Sequence, residues 1–247
     1  MRKLRIEAIT LFALAATGST FAADMKVKAP SRPAAVVAPF GWSGCYTGAE
    51  GGGAWGRSSQ VARSGVPGAP ITGTFDLRGG LVGGTIGCNY QVNGFVLGIE
   101  DDYSWTDKTG SHNSMPPFNV AGVDTVREKW LDTLRGRSGF AWDRFFLYGT
   151  GGVAWAGTEV NFTLAGLANV TDSQTRTGWV AGVGGEWAAW SGPSGTLSFK
   201  LEYLHADFGT ATYINPPAAT AAGAVVTRDV TLTDDIFRAG MSWKFGG

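Results

Sequence analysis

Apolar and polar residues alternate with period two through most of this chain, most clearly at its end. Between Asp229 and Phe245 one parity ends Phe237, Ala239, Met241, Trp243, Phe245, while the other carries Arg238, Gly240, Ser242 and Lys244. Such alternation marks a strand whose two faces meet different surroundings. Comparable stretches lie near 43–56, 74–90, 95–107, 124–140, 145–163, 177–190 and 197–213, so with 229–245 the pattern predicts eight strands.

The connections fall into two classes. Asn93-Gly94 is the strongest two-residue hairpin signal, because both residues accept positive φ. Ala141–Arg144 and Ser191–Gly195 are the other short turns, whereas the remaining four connections run to about 13–17 residues, centred near Val66-Pro67, Met115-Pro116, Leu167 and Ala221. Strict alternation of short and long connections is the asymmetry of barrels with tight periplasmic turns and long extracellular loops. The predicted fold is all-β: an eight-stranded antiparallel transmembrane up-and-down β-barrel, the smallest common closed form.

In the third strand Phe95, Leu97 and Ile99 oppose Glu100 and Asp102; in the seventh Leu197, Phe199, Leu201 and Tyr203 oppose Lys200 and Glu202. The same parity places Glu50, Arg135, Arg137, Glu186, Arg238 and Lys244 on the polar face. Alternation alone fits a soluble barrel with an apolar interior as well as a membrane barrel with an apolar exterior. Trp42, Tyr90, Trp142, Trp190 and Trp243 near the short turns, with Trp55, Trp105, Trp155 and Trp179 toward the long loops, make two aromatic belts and favour the membrane form. The ten charged residues then face a lumen only wide enough to be filled by side chains, so they are expected to form an ion-pair network rather than line an open pore. Asp101 and Asp132 fall on the lipid-facing parity, which puts them at the outer rim or beside a bulge.

The chain begins Met1-Arg2-Lys3-Leu4-Arg5, runs through an apolar stretch from Ile9 to Phe21 and reaches small residues at Thr20 and Ala22. This reads as a cleaved signal peptide over residues 1–22, followed by a Pro/Ala-rich periplasmic tether over 23–41 and the barrel over 42–247. No later segment has the roughly 18–20 consecutive apolar residues of a membrane-spanning helix. With 38 glycines, 10 tryptophans, 14 phenylalanines and net charge zero, the composition suits β structure and offers nothing for nucleic acid. The expected location is the outer membrane of a Gram-negative cell.

Cys45 and Cys88 are the only cysteines. If the first two strands pair about Val66-Pro67, these positions face each other, and an oxidising compartment favours a disulfide over two free thiols. Closing a loop of about forty residues would stabilise the fold by roughly 4 kcal/mol in the chain-entropy picture.

Other chemistry is thin. His205, with Asp207 two residues on, is a candidate base for a lipid-modifying enzyme, but no serine nucleophile accompanies it in sequence. His112 and Met115 are residue types that ligate haem iron, in a loop where one histidine has no other explanation needed. Arg135-Gly136-Arg137 could grip phosphate, yet its inward parity assigns it to Glu100, Glu186 or Glu202. Gly79-Gly80, Gly83-Gly84 and Gly151-Gly152 lack the lysine and helix of a phosphate loop and read as strand glycines. No catalytic, cofactor-binding or metal-ligating residue is assigned, and the expectation is a non-enzymatic protein.

The segments WSGCYTGAEGGGAWG (42–56), GGTIGCNYQ (83–91), LGIEDDYSW (97–105), DTLRGRSGF (132–140), FLYGTGGVAWAG (146–157), GWVAGVGGEW (178–187) and FKLEYLHADFG (199–209) occur in an order that resembles the alphaproteobacterial outer-membrane immunogenic, or porin-family, surface proteins with OmpA-like eight-stranded barrels. The tether beginning Ala23-Asp24-Met25-Lys26 resembles that family's mature N-terminus, so the likeness covers the whole mature chain. Cys45 and Cys88 stand where the family often has aromatics. Trp243 and Phe245 resemble its C-terminal barrel-assembly signal, here followed by Gly246-Gly247. The resemblance implies a surface antigen and envelope component whose partners are outer-membrane lipids and the barrel-assembly machinery, with loops offered to an extracellular ligand or host surface. Haem binding by some relatives carries over no motif, and a lipid-modifying enzyme, a haem-binding surface protein and a small channel stand as the alternatives.

Overall fold

The computed structural model describes residues 40–166, 169–215 and 226–245. The signal peptide, all of the tether but Phe40 and Gly41, the loop centres at Leu167 and Ala221, and the closing Gly246-Gly247 lie outside the described residues.

The chain forms β1 (Gly44–Ala62), β2 (Pro70–Val92), β3 (Phe95–Thr106), β4 (Thr109–Asn113), β5 (Val123–Trp142), β6 (Phe145–Thr163), β7 (Val170–Gly192), β8 (Gly195–Asn215) and β9 (Val226–Lys244). β3 and β4 are one strand broken at Asp107-Lys108, since both lie between β2 and β5. Every pairing is antiparallel, and β1 pairs with both β2 and β9, which closes the ring at eight strand positions. The first hairpin has the expected register, with Cys45 opposite Cys88, Thr47 opposite Ile86 and Gly51 opposite Val82. Short turns occur at Asn93-Gly94, Asp143-Arg144 and Pro193-Ser194, and Asn93 and Asp143 take the positive φ values of 54° and 52° that such tight turns require.

At the other end the strands run further than the alternation suggested. The connections over 63–69 and 114–122 are shorter than expected, because the extra length is sheet. The reason is a change of surroundings at constant pleat. Below the upper aromatic ring, outward residues such as Ile86, Leu97, Val183 and Leu201 are exposed and apolar, as lipid requires. Above it, outward positions become Arg57, Ser59, Asp76, Thr175 and Thr231, while the inward ones become Phe75, Leu77, Val126, Val160 and Leu232, all buried. The apolar parity inverts there although the strands do not stop.

The lower ring consists of outward Tyr90, Phe95, Phe140, Trp142, Phe145, Trp187 and Trp190; the upper ring holds Trp55, Tyr103, Trp105 and Trp179, with Trp130 and Trp155 partly covered. From Phe95 to Trp105 β3 has about the 9–11 residues that a tilted strand needs to cross the hydrocarbon. Trp42 belongs to neither ring: it is 2% exposed and fills the short-turn mouth against Phe146, with ring centroids 5.4 Å apart. Asp101 and Asp132 do lie on the outward face just below the upper ring, two residues from Tyr103 and Trp130 respectively, and a bulge at Glu128/Trp130 follows immediately.

One joint differs from the rest. The β7–β8 ladder ends at Trp179 opposite Asp207, and above it side chains lace the two strands: Gln174 donates to the Thr212 carbonyl at 2.9 Å, Ile214 N–H donates to Asp172 at 3.1 Å, and Arg176 donates to the Gly209 carbonyl at 2.7 Å.

Glycine lets adjacent strands keep these inward rows close. A Cβ on inward Gly152 would strike the Leu134 carbonyl and lie 2.8 Å from the Arg135 Cα, whereas one on outward Gly151 would meet nothing nearer than the Val180 carbonyl at 3.5 Å. Gly152→Val is therefore expected to abolish the heat-modifiable species on semi-native gels, and Gly151→Val to leave most of it. Equal yields from both variants would contradict the account.

Candidate functional site

Nine of the ten charged residues assigned to the inner face converge in the lumen between the two aromatic rings. Arg135 on β5 holds Glu100 at 2.6 Å, Asp102 at 2.8 Å and Glu202 at 2.9 Å. Arg238 on β9 holds Asp102 at 2.5 Å, Glu202 at 2.6 Å and, closely, Glu50. Lys200 on β8 bridges Glu50 at 3.2 Å and Glu100 at 3.1 Å, and Arg137 reaches Glu100 at 3.2 Å and Glu186 at 3.3 Å. All nine are buried.

The parity of each strand explains the convergence, since every inward position on a narrow ring points toward the same axis. Carboxylates outnumber cations here, and hydroxyls supply the missing donors. Tyr46 donates to Glu100 at 2.6 Å, Thr133 to Asp102 at 2.7 Å, Tyr148 to Glu202 at 3.0 Å and Ser198 to Glu186 at 2.5 Å. Arg137 also lies over the rings of Tyr46 and Tyr148, at 4.7 and 5.1 Å from their centroids.

Lys244 departs from the expected network. It makes no ion pair among the described residues but donates to the Gly41 carbonyl and lies over the Phe40 ring at 5.1 Å. It is nearest the short-turn mouth, where Phe40 and Trp42 fold in and, among the described residues, no carboxylate comes within ion-pair distance of it. Trp42 N–H donates to Gln91 at 2.6 Å and its indole to the Asp143 carbonyl at 3.2 Å, so this segment corks the mouth.

A second charged group escaped the sequence reading. Lys108 is buried between Glu128, at 3.0 Å, and Asp234, and Arg228 is bound to Asp124 and to Gln60, the latter at 2.8 Å. Lys108 and Arg228 lie just beyond the strand limits expected from alternation. Glu128 has the opposite parity to Arg135, and the bulge at Lys129 re-phases β5 so that both face inward. The charged neighbours Glu128-Lys129 directly before Trp130, which interrupt the alternation, were the signal available. Apolar Ala54, Leu81, Leu131, Ala154, Val180 and Leu204 pack around this level.

The remaining candidates separate. Cys45 and Cys88 are joined as a disulfide on the outward face. Trp243 stacks on Trp190 at 5.6 Å, and Phe245 N–H donates to the Cys45 carbonyl at 2.9 Å, tying the last residues to β1. His205 lies outward at the upper ring, with Nδ1 2.8 Å from Asp235, which also accepts from Tyr203 at 2.6 Å. Asp207 instead caps the Gly209 N–H at 2.7 Å, and no serine or threonine hydroxyl bonds to His205 among the described residues. His112 turns inward onto Phe75 while Met115 is exposed on the connecting segment, so the two do not share a site.

The family described as the outer membrane protein beta-barrel domain matches residues 10–245. The 31 kDa outer-membrane immunogenic protein of Brucella melitensis biotype 1 is 32% identical over 237 residues, covering 92% of this chain and 94% of that protein. The 22 kDa outer membrane protein of Rhizobium leguminosarum biovar viciae is 27% identical over 127 residues, covering 51% of this chain and 52% of that one. Among solved structures, the outer membrane protease OmpT of Escherichia coli superposes with a TM-score of 0.50 at 10% identity, covering 83% of this chain and 98% of that one, a likeness of fold alone.

Removing one partner from a buried ion pair costs about 3–5 kcal/mol, because the other charge stays buried and uncompensated. Arg135→Met is thus expected to lower the unfolding free energy by roughly that amount, and Lys244→Met at the mouth by on the order of 1 kcal/mol. Urea titration of the folded band checks the difference; equal losses would contradict it.

Proposed function

Because the chain belongs to the outer membrane protein beta-barrel domain family and resides in the outer membrane, we propose that it is a non-enzymatic surface protein whose role is structural in the envelope and antigenic at the cell surface. The observation that carries this reading is the lumen: Arg135 and Arg238 each bind three carboxylates across it, and the side chains that fill it leave the strand ends and connecting segments as the parts presented to the outside. The apolar outer face is offered to lipid, and Trp243 with Phe245 at the closing strand is offered to the barrel-assembly machinery. Residues 1–22 act as the export signal and 23–41 as a periplasmic tether ending in the Phe40–Trp42 cork.

A small channel is the reading this lumen opposes most directly, since passage would require breaking the Arg135 and Arg238 contacts. An enzymatic role has one favourable feature, the His205–Asp235 pair on the membrane-facing rim, but lacks a bonded nucleophile among the described residues.

The test begins with outer membranes washed in carbonate. The protein is expected to stay in the pellet, to migrate faster before boiling than after, and to show a further mobility change on reduction, reporting Cys45–Cys88. In planar bilayers it is expected to be silent, and regular conductance steps that vanish in Arg135→Glu would replace the structural reading with a channel. Lipid profiles of cells expressing the protein are expected to match those of cells expressing His205→Ala; a difference between them would argue for the enzyme.

A further inference from the structure

Just above the upper aromatic ring the outer face of the barrel is basic on one half and acidic on the other. On β1, β2 and β5 the outward side chains at this level include Arg57, Arg78, Arg127 and Lys129. Arg57 stands two residues beyond Trp55, Arg78 lies opposite Trp55 in register, and Arg127 stands three residues from Trp130. Across β6–β9 the same level carries Glu159, Asp207 and Asp235 and, among the described residues, no outward arginine or lysine.

The guanidiniums of the basic half lack acceptors, whereas the carboxylates around them have donors of their own. Glu159 is bound by Lys129, Asp107 accepts from the Gly80 N–H at 2.7 Å, and Asp235 accepts from the Tyr203 hydroxyl at 2.6 Å with His205 Nδ1 at 2.8 Å. Arg78 has one ion pair, to Asp76 at 3.5 Å, and both side chains are mostly exposed. Arg57 and Arg127 make no hydrogen bond or ion pair among the described residues. Trp55, Arg57, Asp76, Arg78 and Asp235 line a cleft of about 220 Å³. Arg78 and Arg127 also flank Thr109 in one cross-strand row, with their Cα atoms about 10 Å apart by strand spacing, so these two long side chains can converge on one group.

These cations are confined in height. Further up the same strands the outward residues Ser59, Thr74, Ser111 and Thr125 are neutral; directly below lie Trp55, Trp105 and Trp130, with Asp101 and Asp132 beneath that ring. A ligand approaching from solution would meet the whole wall, whereas one held at a fixed depth by its own hydrocarbon meets only this layer. The layer begins where the lipid-facing apolar side chains end, at the headgroups of the outer leaflet. Guanidinium suits phosphate there, because its planar fork offers two parallel N–H groups to two oxygens. We propose that Arg57, Arg78 and Arg127 bind the phosphate of a lipid anchored in the outer leaflet, so that phosphorylated lipid gathers on the β1–β5 half of the barrel. Each exposed contact is modest, but a lipid anchored beside the barrel is present at high effective concentration. The inference rests on the membrane placement of the barrel and adds a partner to it.

The test uses the full mature chain folded into phosphatidylcholine vesicles that contain a minor fraction of phosphatidic acid, of diacylglycerol or of a fatty acid. The readout is the temperature at which the fast-migrating folded band is lost. Phosphatidic acid is expected to raise that temperature above both of the others. Arg57→Gln, Arg78→Gln and Arg127→Gln together are expected to lose most of the rise while retaining the mobility shift itself. An equal rise with the fatty acid would overturn the inference in favour of unspecific surface charge. An equal rise when inorganic phosphate is added to plain phosphatidylcholine vesicles would overturn it in favour of a free-phosphate site, and a full rise in the triple variant would overturn it outright. Should the triple change impair folding, Arg127→Gln alone removes a side chain that bonds to nothing among the described residues, and there too the rise is expected to shrink; an undiminished rise overturns the inference equally. Absence of the mobility shift from the unsubstituted protein in plain vesicles would instead count against the membrane barrel.

Discussion

Everything in this molecule is subordinate to the electrostatic balance at the centre of a narrow ring. Arg135 and Arg238 each face three carboxylates supplied by other strands, and neither could sit there without them, because an unpaired guanidinium out of water is costly. The demand propagates outward. Glu50, Asp102, Glu100 and Glu202 come from β1, β3 and β8, so the network is complete only when the ring is closed. Ring closure and charge neutralisation are one condition, and the surplus of acceptors explains why Tyr46, Thr133, Tyr148 and Ser198 occupy the positions around it.

A second constraint acts on the outside and changes with height. The same strands cross lipid below and emerge above, and their pleat continues through the boundary. Below it the inside is ionic and the outside greasy; above it the inside packs Phe75, Leu77, Val126 and Leu232, and the outside is polar, as in a soluble barrel. The upper part therefore has a hydrophobic core of its own. Lys108, Glu128 and Asp234 sit near this turnover, where bulge-driven re-phasing of β5 brings Glu128 to the inner face.

This stratification decides what could be read from the chain beforehand. The fold, the short turns, the Cys45–Cys88 register and the inward set from Glu50 to Arg238 were legible, since each depends on parity within one stretch facing one medium. The true strand lengths were not, because a pattern defined as apolar-out ends where the apolar side turns inward. Glu128 was hidden by a single inserted residue that flips parity, a local event that a period-two template passes over. Trp42 was misplaced for a different reason: it precedes β1, so no alternation fixes its direction, and only the folded mouth reveals that it points in. Lys244 kept its inward parity but met backbone and an aromatic ring there, because the acids lie higher up the axis.

The sulfur bridge between β1 and β2 has an implication for how the ring is completed. β1 must finally accept β9, the last of the described strands in chain order, and until then one of its edges has no neighbour. A slip of β1 by one position against β2 would exchange its inner and outer rows and present Cys45, Thr47 and Ala49 to the axis in place of Tyr46 and Glu50. With Cys45 fastened to Cys88, that slip is forbidden for as long as the bridge lasts. The first hairpin becomes a ruler of fixed graduation, and the chain's final act is to be measured against it.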